Sequence, residues 1–447
     1  MTRPRLLGAD KKKIRLASRH AVQLYFTRCA ASGVVDKWLN PKNRYRKTAT
    51  QTYENDIRSS TVQHGALIDY IAASAPAHLI DGWSYLGRST DAILRGDLNA
   101  AIHSAYYAEL RAAMSLLACE GIGVFNSKHP VINAAGNATE LIKKVEVWDK
   151  SQRRFASQNA STHTAVWPLL HHWSSLKRAS TLIEDLVAPS GYSLRQWLTA
   201  CGIPISVRAV SKKWLASWGT DLNRLIDDRE SRNMASYRPS ELRLAPSPSA
   251  SAAIEFVSDL WNLFEPTVGG KFPQLEKELL KRIVRSSGKT VQPASLINGL
   301  GLTLATAEKW CSYLTDENES RPLFFSGKNS DVDKTDCAFE VVSRAALLLF
   351  LATGSTRKHL VDAGYSPNQL EFFWRRLCEV RFDGPASSLP DDPIDIWSDI
   401  EASISDAKDW QSNATLTTSL GEWRRSQPEI MNQIVSFELA AVWGLVS

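Results

Sequence analysis

A stretch near the middle of the chain, DRESRNMASYR at residues 228–238, combines side chains suited to chemistry on phosphate esters. On a helix, residues four or five positions apart project from one side, so Arg232 and Tyr237 would share a face. A guanidinium can neutralise the charge that develops on a phosphoryl group. A phenol can donate a hydrogen bond and stack, but it is a poor base at neutral pH. Arg232, Asn233 and Tyr237 are therefore the candidate catalytic residues of this stretch, and Arg229 and Arg238 are candidates for phosphate contact.

A second segment, SAYYAELRAAMSLL at residues 104–117, predicts a long helix with one carboxylate, Glu109. Together the two segments resemble the HEPN family of helical domains. In that family the first long helix has a Ser/Ala-Tyr-Tyr-Ala start followed by Ala-Ala and leucines, and a later motif places a histidine after an arginine and a polar residue. Arg232 and Asn233 match the arginine and polar positions, while Tyr237 occupies the histidine position.

The resemblance implies a function for the chain. Active HEPN domains combine two such faces by dimerisation into a metal-independent ribonuclease site, and the family is common in bacterial antiphage, toxin–antitoxin and stress systems. It therefore implies a defence protein that binds or cleaves RNA, with Glu109 orienting the catalytic groups. The tyrosine at the histidine position, and a separation of over a hundred residues between the segments, leave catalysis an open question.

Other interpretations of the same residues compete with an active site. Arg232 could form a buried ion pair with Glu109 that fixes the register of two helices. Tyr237 would then cap the core. A further alternative is a non-catalytic subunit of a defence complex, in which this face builds a homodimer or binds a partner protein.

A separate element at residues 276–327 is similar to a winged helix-turn-helix unit. Two short helices flank a turn at Gly301, Thr303 caps the second of them, and residues 321–327 would return as a wing. Thr303, Thr306 and Lys309 are the candidates for nucleic-acid contact. Because these offer few groups for base edges or phosphates, DNA binding is a weak alternative to a protein contact or a plain helical pair.

The remaining pattern predicts an all-α fold, a multi-helix bundle with a HEPN-like core followed by a C-terminal helical domain. We expect helices near 136–150, 163–188, 192–200 and 210–230, and tryptophans that anchor packed helices. A Pro/Ser-rich stretch indicates a linker. The predicted organisation is a basic N-terminal segment at 1–76, a HEPN-like domain at 77–245, a linker at 246–252 and a C-terminal domain at 253–447.

Composition limits the class of protein. The chain has 447 residues, 44% hydrophobic side chains and a formal charge of +6, which permits contact with nucleic acid without requiring it. Its six cysteines are far apart, and His163, His171 and His172 lack ligand partners at helical spacing, so we expect no metal site and no cofactor. Without an apolar leader or a run long enough to span a bilayer, the expected location is the cytoplasm, with no membrane partner.

Overall fold

The computed structural model describes residues 4–32, 36–149, 153–205, 210–237, 247–267, 272–331, 334–382, 395–413 and 419–446. Across these residues the chain is predominantly helical, with two short antiparallel two-stranded sheets. The predicted all-α, multi-helix fold is therefore confirmed.

The elements before residue 238 are α1 Gly8–Leu16, α2 Arg19–Ala31, α3 Ala49–Ser59, α4 His64–Leu94, α5 Leu98–Cys119, β1 Pro130–Ile132, β2 Ala138–Glu140, β3 Lys144–Asp149, β4 Arg154–Asn159, α6 Thr162–Trp173, α7 Lys177–Leu186, α8 Leu194–Ala200, α9 Val210–Ser217 and α10 Leu222–Tyr237. Strands β1 and β2 pair with each other, as do β3 and β4, so the helix predicted at 136–150 is wrong. In β3 the residues Lys144, Val145, Glu146 and Val147 alternate polar and apolar, which is the period of a strand.

The elements after residue 247 are α11 Ala250–Leu263, α12 Pro273–Ser286, α13 Pro293–Leu300, α14 Leu304–Thr315, α15 Arg321–Ser326, α16 Cys337–Ala363, α17 Glu371–Phe382, α18 Ile396–Asn413, α19 Leu420–Ser426, α20 Pro428–Ile434 and α21 Leu439–Val446. Short 3₁₀ turns lie at Pro189–Gly191 and Pro367–Leu370. The last three residues of the predicted linker are helical, because Ser249 caps α11 by accepting a hydrogen bond from the Ala252 amide.

Helix α5 lies at the centre of the fold and packs against α4, α10 and α16. Its N-cap is Asp97, whose carboxylate accepts a hydrogen bond from the Ala100 amide. A stripe of small, fully buried residues on α5 lets its neighbours approach closely. The stripe consists of Ala101, Ala105, Ala108 and Ala112. On α4, a Cβ at Gly82 would come within 2.7 Å of the Leu349 side chain on α16, so any larger residue would require that side chain to shift.

One apolar core contains helices from both predicted domains, because the C-terminal helix α16 packs on α5 and α4. Helix α4 also runs through the predicted boundary at 76/77, since its buried stripe already begins at Leu67 and Ile71. The elements before residue 77 thus share a core with those after it. The predicted domain division stays a prediction from the sequence, and residues 238–246 before the linker lie outside the described residues.

The tryptophans act as apolar anchors, as predicted. Nine of them are among the largest fully buried side chains of the described residues: Trp83, Trp167, Trp173, Trp197, Trp218, Trp261, Trp374, Trp423 and Trp443. Some also fix helix register through the indole N–H. Trp83 of α4, for example, donates to the Thr353 hydroxyl of α16 at 3.0 Å.

The predicted wing is a helix. Residues Arg321–Ser326 form α15, with Pro322 in its first turn and Leu323 fully buried. Phe325 packs its ring 5.2 Å from that of Phe339 on α16, so this segment is fixed to the core by apolar contacts. Helices α13 and α14 do form a helix–turn–helix pair, with Gly301 in the left-handed region at φ 67°.

Helix α16 is, among the described residues, the one helix long and apolar enough to cross a membrane by length and composition. Its most apolar window is 94% buried inside the protein, as expected of a core helix.

Candidate functional site

Arg232 brings the two motif segments together. Its side chain is 7% exposed, and its Nη2 donates a hydrogen bond of 2.5 Å to the Tyr107 hydroxyl on α5. Its Nη1 donates to the Asn233 amide oxygen at 2.9 Å. The Nε atom is buried and has no hydrogen-bond partner among the described residues. The predicted contact between the Tyr106–Leu117 helix and the Arg232 helix is therefore present, and one guanidinium N–H in it is unsatisfied.

Three tyrosine rings surround this guanidinium. The Cζ atom of Arg232 lies 5.4 Å from the ring centroid of Tyr106, 5.0 Å from that of Tyr107 and 5.8 Å from that of Tyr237. Such cation–π contacts favour a positive charge at this place. Tyr237 is 74% exposed, so the alternative in which it caps the core is wrong. It forms the outer edge of the arginine's surroundings and is accessible from solvent.

Two histidines that the sequence did not single out for this site complete the cluster. Nδ1 of His103 lies 2.6 Å from the Ser236 hydroxyl of α10, and Nδ1 of His163 lies 3.0 Å from the Tyr106 hydroxyl. The two imidazoles lie 5.0 Å and 6.0 Å, centroid to centroid, from the ring of Tyr107. We define the tyrosine–histidine cluster as His103, Tyr106, Tyr107, His163, Arg232, Ser236 and Tyr237.

Charge and burial act on both imidazoles in the same direction. Partial burial is the larger cause that lowers the pKa of His103, and the positive charge of Arg232 is the second cause. Burial, then Arg232 and then Arg229, lowers the pKa of His163. Both rings are thus biased toward the neutral form, which can accept a proton. Arg229 lies one turn before Arg232 on α10, and its charge reaches the same space, as the nucleic-acid prediction requires.

His103 could have been found from the sequence, whereas His163 could not. His103 precedes the quoted α5 segment by one residue and lies four positions before Tyr107, on the same helix face. His163 lies in the first turn of α6, after both hairpins, and only the tertiary fold places it on Tyr106. Among the described residues no group of three or more histidine, cysteine or acidic side chains could hold a metal ion.

Glu109 belongs to a different cluster from Arg232. Its side chain is fully buried on α5, and no ion pair joins it to Arg232, so the predicted buried pair between them is wrong. Burial and the adjacent Asp228 carboxylate raise the pKa of Glu109 well above its ordinary value. Neither carboxyl oxygen of Glu109 has a hydrogen-bond partner among the described residues, so the protonated form avoids an unpaired buried charge beside Asp228. Glu109 is therefore placed to support α10 from inside the core.

The buried ion pair of this region is formed by Asp228 and Arg344. Arg344 Nε and Nη2 each donate a hydrogen bond of 2.6 Å to one oxygen of Asp228, and both side chains are fully buried. Arg344 also donates to the backbone carbonyl of Lys328 at 2.9 Å. Since Asp228 precedes Arg232 by one helical turn, this pair holds the face of α10 that carries Arg232 against α5 and α16.

A groove of about 560 Å³ begins at Tyr107 and His163 and runs along α5 toward the residues before α3. Lys47 and Arg111 line it with positive charge, and no carboxylate is among its lining residues in the described part of the chain, although Arg111 also lies 3.6 Å from the Asp81 carboxylate. Arg111 lies 2.9 Å from His78 Nδ1, and burial together with Arg111 lowers the pKa of His78 to about 3. A neutral His78 therefore accepts the arginine's hydrogen bond and fixes its orientation. Tyr70 and Phe125 add aromatic surface to the walls.

The other predicted contact residues lie elsewhere or outside the described structure. Thr303, Thr306 and Lys309 are exposed on α14, which packs against α12 and α13, whereas α10 packs against α5 and α6. The Thr303 hydroxyl accepts a hydrogen bond from the Thr306 amide, which is the predicted helix cap. Arg238 lies outside the described residues.

Comparison of the chain with protein-family models, with curated proteins and with solved structures finds no match. The HEPN resemblance therefore rests on the motif residues and on their placement in the fold.

Proposed function

We propose that this chain is a HEPN-like protein of a bacterial defence or stress system, located in the cytoplasm, that acts on RNA at the tyrosine–histidine cluster. One observation carries the proposal. A nearly buried guanidinium, Arg232, keeps an unsatisfied N–H beneath an exposed tyrosine and at the end of a basic groove.

The tyrosine rings around Arg232 favour a positive charge at this place, and an anion is the complementary ligand for such a charge. A phosphodiester supplies anionic oxygens at the geometry that a guanidinium prefers. Arg229 adds a second positive charge to the same space. The arrangement thus favours an anion with several acceptor oxygens.

The surrounding aromatic surface favours a nucleic acid over a simple anion. Tyr237 is exposed beside the arginine and offers a face on which a base can stack. The groove continues with Lys47, Arg111 and aromatic walls, which suits the backbone and bases of a single strand. Because its volume of about 560 Å³ is that of a small-molecule site, we expect it to hold a nucleotide next to the contacted phosphate.

A second candidate function uses the same face of α10 for protein binding, without catalysis. Exposed tyrosine and arginine side chains are enriched at protein interfaces, and Tyr237 lies at the rim of the cluster. The alternative is therefore an interaction subunit that forms a homodimer or binds a partner protein of a defence complex through α10.

Filter binding with total bacterial RNA, and with a labelled RNA oligonucleotide of mixed sequence, tests the proposal over a series of salt concentrations. We expect Arg232→Gln to weaken binding by roughly tenfold or more, the value of one charged hydrogen bond. We also expect affinity to fall steeply with salt. Tyr237→Ala, at an exposed position, should weaken binding without changing the thermal midpoint.

The matched control is Arg424→Gln, which removes an exposed arginine of α19 and should leave binding unchanged. Binding by wild type that is insensitive to Arg232→Gln and Tyr237→Ala would contradict the proposed site. Loss of homodimer or partner capture in the same variants, with no RNA affinity in wild type, would favour the interaction subunit.

A further inference from the structure

We propose that His103 and His163 are the proton-transfer groups of a metal-independent RNA transesterification, with His163 as the base and His103 as the acid. The inference rests on the proposed function, because it takes RNA as the substrate. It assigns to His103 of α5 and His163 of α6 the proton-transfer role for which the Tyr237 phenol is poorly suited at neutral pH.

The two rings are fixed in a way that leaves one nitrogen of each available. His103 is held through Nδ1 by Ser236, and His163 through Nδ1 by Tyr106. Neither Nε2 has a hydrogen-bond partner among the described residues, and neither is buried. Both rings lie beside the ring of Tyr107, whose hydroxyl accepts from Arg232. Two imidazoles, each with an Nε2 unpartnered among the described residues, therefore lie beside the tyrosine that binds the Arg232 guanidinium.

The reaction balances without a metal or a co-reactant. The neutral His163 accepts the proton of a ribose 2′-hydroxyl as that oxygen forms a bond to phosphorus. The bond from phosphorus to the 5′ oxygen breaks, and protonated His103 gives its proton to the departing oxygen. Arg232 stabilises the charge on the non-bridging oxygens. The products are a 2′,3′-cyclic phosphate and a 5′-hydroxyl, and proton exchange with water restores both rings.

The division of roles follows from the surrounding charges. His163 experiences the positive charges of both Arg232 and Arg229, whereas His103 experiences that of Arg232. Both charges favour the neutral, proton-accepting form of His163, and this ring also lines the groove that would hold the nucleotide, whereas His103 does not. A bound phosphate offsets the charge of Arg232, the one arginine that acts on His103, and so favours protonation of that ring.

The test uses the full chain and total bacterial RNA in the presence of a metal chelator. The chemical groups at the ends of any RNA fragments are identified, and the cleavage sites are located by sequencing. We expect 2′,3′-cyclic phosphate ends, with cleavage slowed about a hundredfold or more in His103→Asn and His163→Asn. Asparagine retains a hydrogen-bonding group near the Nδ1 position, so RNA binding should stay within about twofold. His172→Asn, on the same helix as His163 and outside the cluster, should cleave like wild type.

A substrate with sulfur in place of the bridging 5′ oxygen, placed at the located cleavage site, separates the two roles. A thiolate leaves without being protonated, so this RNA should restore cleavage by His103→Asn and not by His163→Asn. Rescue of the other variant overturns the assignment of roles. RNA that is bound and left intact by wild type, or cut by both asparagine variants as fast as by wild type, overturns the inference and leaves the proposed RNA binding standing. Absence of RNA binding by wild type removes both.

Discussion

Arg344 of α16 binds Asp228 of α10 through two hydrogen bonds of 2.6 Å, in an interior from which water is excluded. This pair links the C-terminal core helix to the helix that carries Arg232. Removing the arginine alone leaves a buried, uncompensated carboxylate, so we expect Arg344→Met to lower the free energy of unfolding by about 3–5 kcal/mol. Urea denaturation followed by circular dichroism measures the change.

The double variant Asp228→Leu with Arg344→Met serves as the control for this prediction. Because it removes both charges, it should be less destabilised than Arg344→Met alone. Arg58→Ala, which breaks an exposed ion pair with Glu54, should not change the unfolding free energy measurably. Equal losses in the single and double variants would show that the pair contributes through packing alone.

Glu109 should make stability fall as pH rises. Burial and Asp228 raise its pKa in the folded protein, while the unfolded chain ionises near the ordinary value of 4.5. Its favourable contribution is therefore complete below pH 4.5 and is lost as pH rises from there toward the raised pKa. Glu109→Gln cannot ionise, so we expect it to be more stable than wild type at neutral pH. Urea denaturation at neutral pH and at pH 4.5 measures the free energy of unfolding of both proteins. The difference between Glu109→Gln and wild type should shrink near pH 4.5, and a difference that is the same at both pH values would contradict a buried, neutral Glu109.

How far the sequence predicts this site depends on whether a contact is local or long-range. The α5 cap at Asp97, the α14 cap at Thr303 and the meeting of Arg232 with the Tyr106–Leu117 helix follow from short-range patterns or a motif. The partner of the buried charge does not, because no motif in the sequence connects Arg344 with Asp228. Glu109, the partner that the motif suggested for Arg232, is instead the second acid of that interior.

The same distinction explains the two element errors. Residues 136–150, which contain β2 and β3, are predicted as a helix because the alternation in β3 is short, and the wing is predicted from a Pro-led apolar run that suits a buried helical turn equally well. For the predicted wing, the apolar contact with α16 favours a helix, and no local sequence pattern predicts that contact. His163 is likewise placed by the fold that follows both hairpins.

The Tyr107 hydroxyl should orient Arg232 for RNA. It accepts a hydrogen bond of 2.5 Å from Nη2, which restricts the guanidinium beside the two histidines. We expect Tyr107→Phe to weaken RNA binding several-fold while changing the unfolding free energy by about 1 kcal/mol, since one hydrogen bond is lost and the ring remains. Filter binding and urea denaturation on the same preparations measure both. Tyr85→Phe, on the neighbouring stacked ring, is the control, and an equal effect of both substitutions on RNA affinity would contradict the role of the Tyr107 hydroxyl.

Charge reversal at two exposed lysines distinguishes the groove from α14. Lys47 lines the groove, whereas Lys309 lies on the helix proposed for DNA contact. We expect Lys47→Glu to weaken RNA binding and to flatten its dependence on salt, because one phosphate contact is lost. Lys309→Glu should leave RNA binding unchanged. The opposite pattern, or a loss of duplex DNA binding in Lys309→Glu alone, would transfer the nucleic-acid function to α14.

The pKa values of the two cluster histidines should respond to the arginine between them. Burial and Arg232 lower the pKa of His103, and burial, Arg232 and Arg229 lower that of His163. The other groups that face these rings are the Tyr106 and Tyr107 phenols and the Ser236 hydroxyl. We therefore expect both imidazoles to titrate below the ordinary histidine value of 6.5. Imidazole carbon resonances of histidine-labelled protein follow this titration without any need for activity.

The variant Arg232→Gln tests the direction in which the arginine shifts the pKa of the two histidines. Removing the positive charge of Arg232 should raise the pKa of both rings. If the protein cleaves RNA, the acidic limb of its pH–rate profile should move to higher pH in this variant. Arg229→Gln should raise the pKa of His163 and leave that of His103 nearly unchanged, because Arg229 acts on His163 alone of the two. If the pKa values of both cluster histidines are the same in wild type and in Arg232→Gln, the arginine does not control them, and the proton-transfer roles assigned to His103 and His163 lose their electrostatic basis.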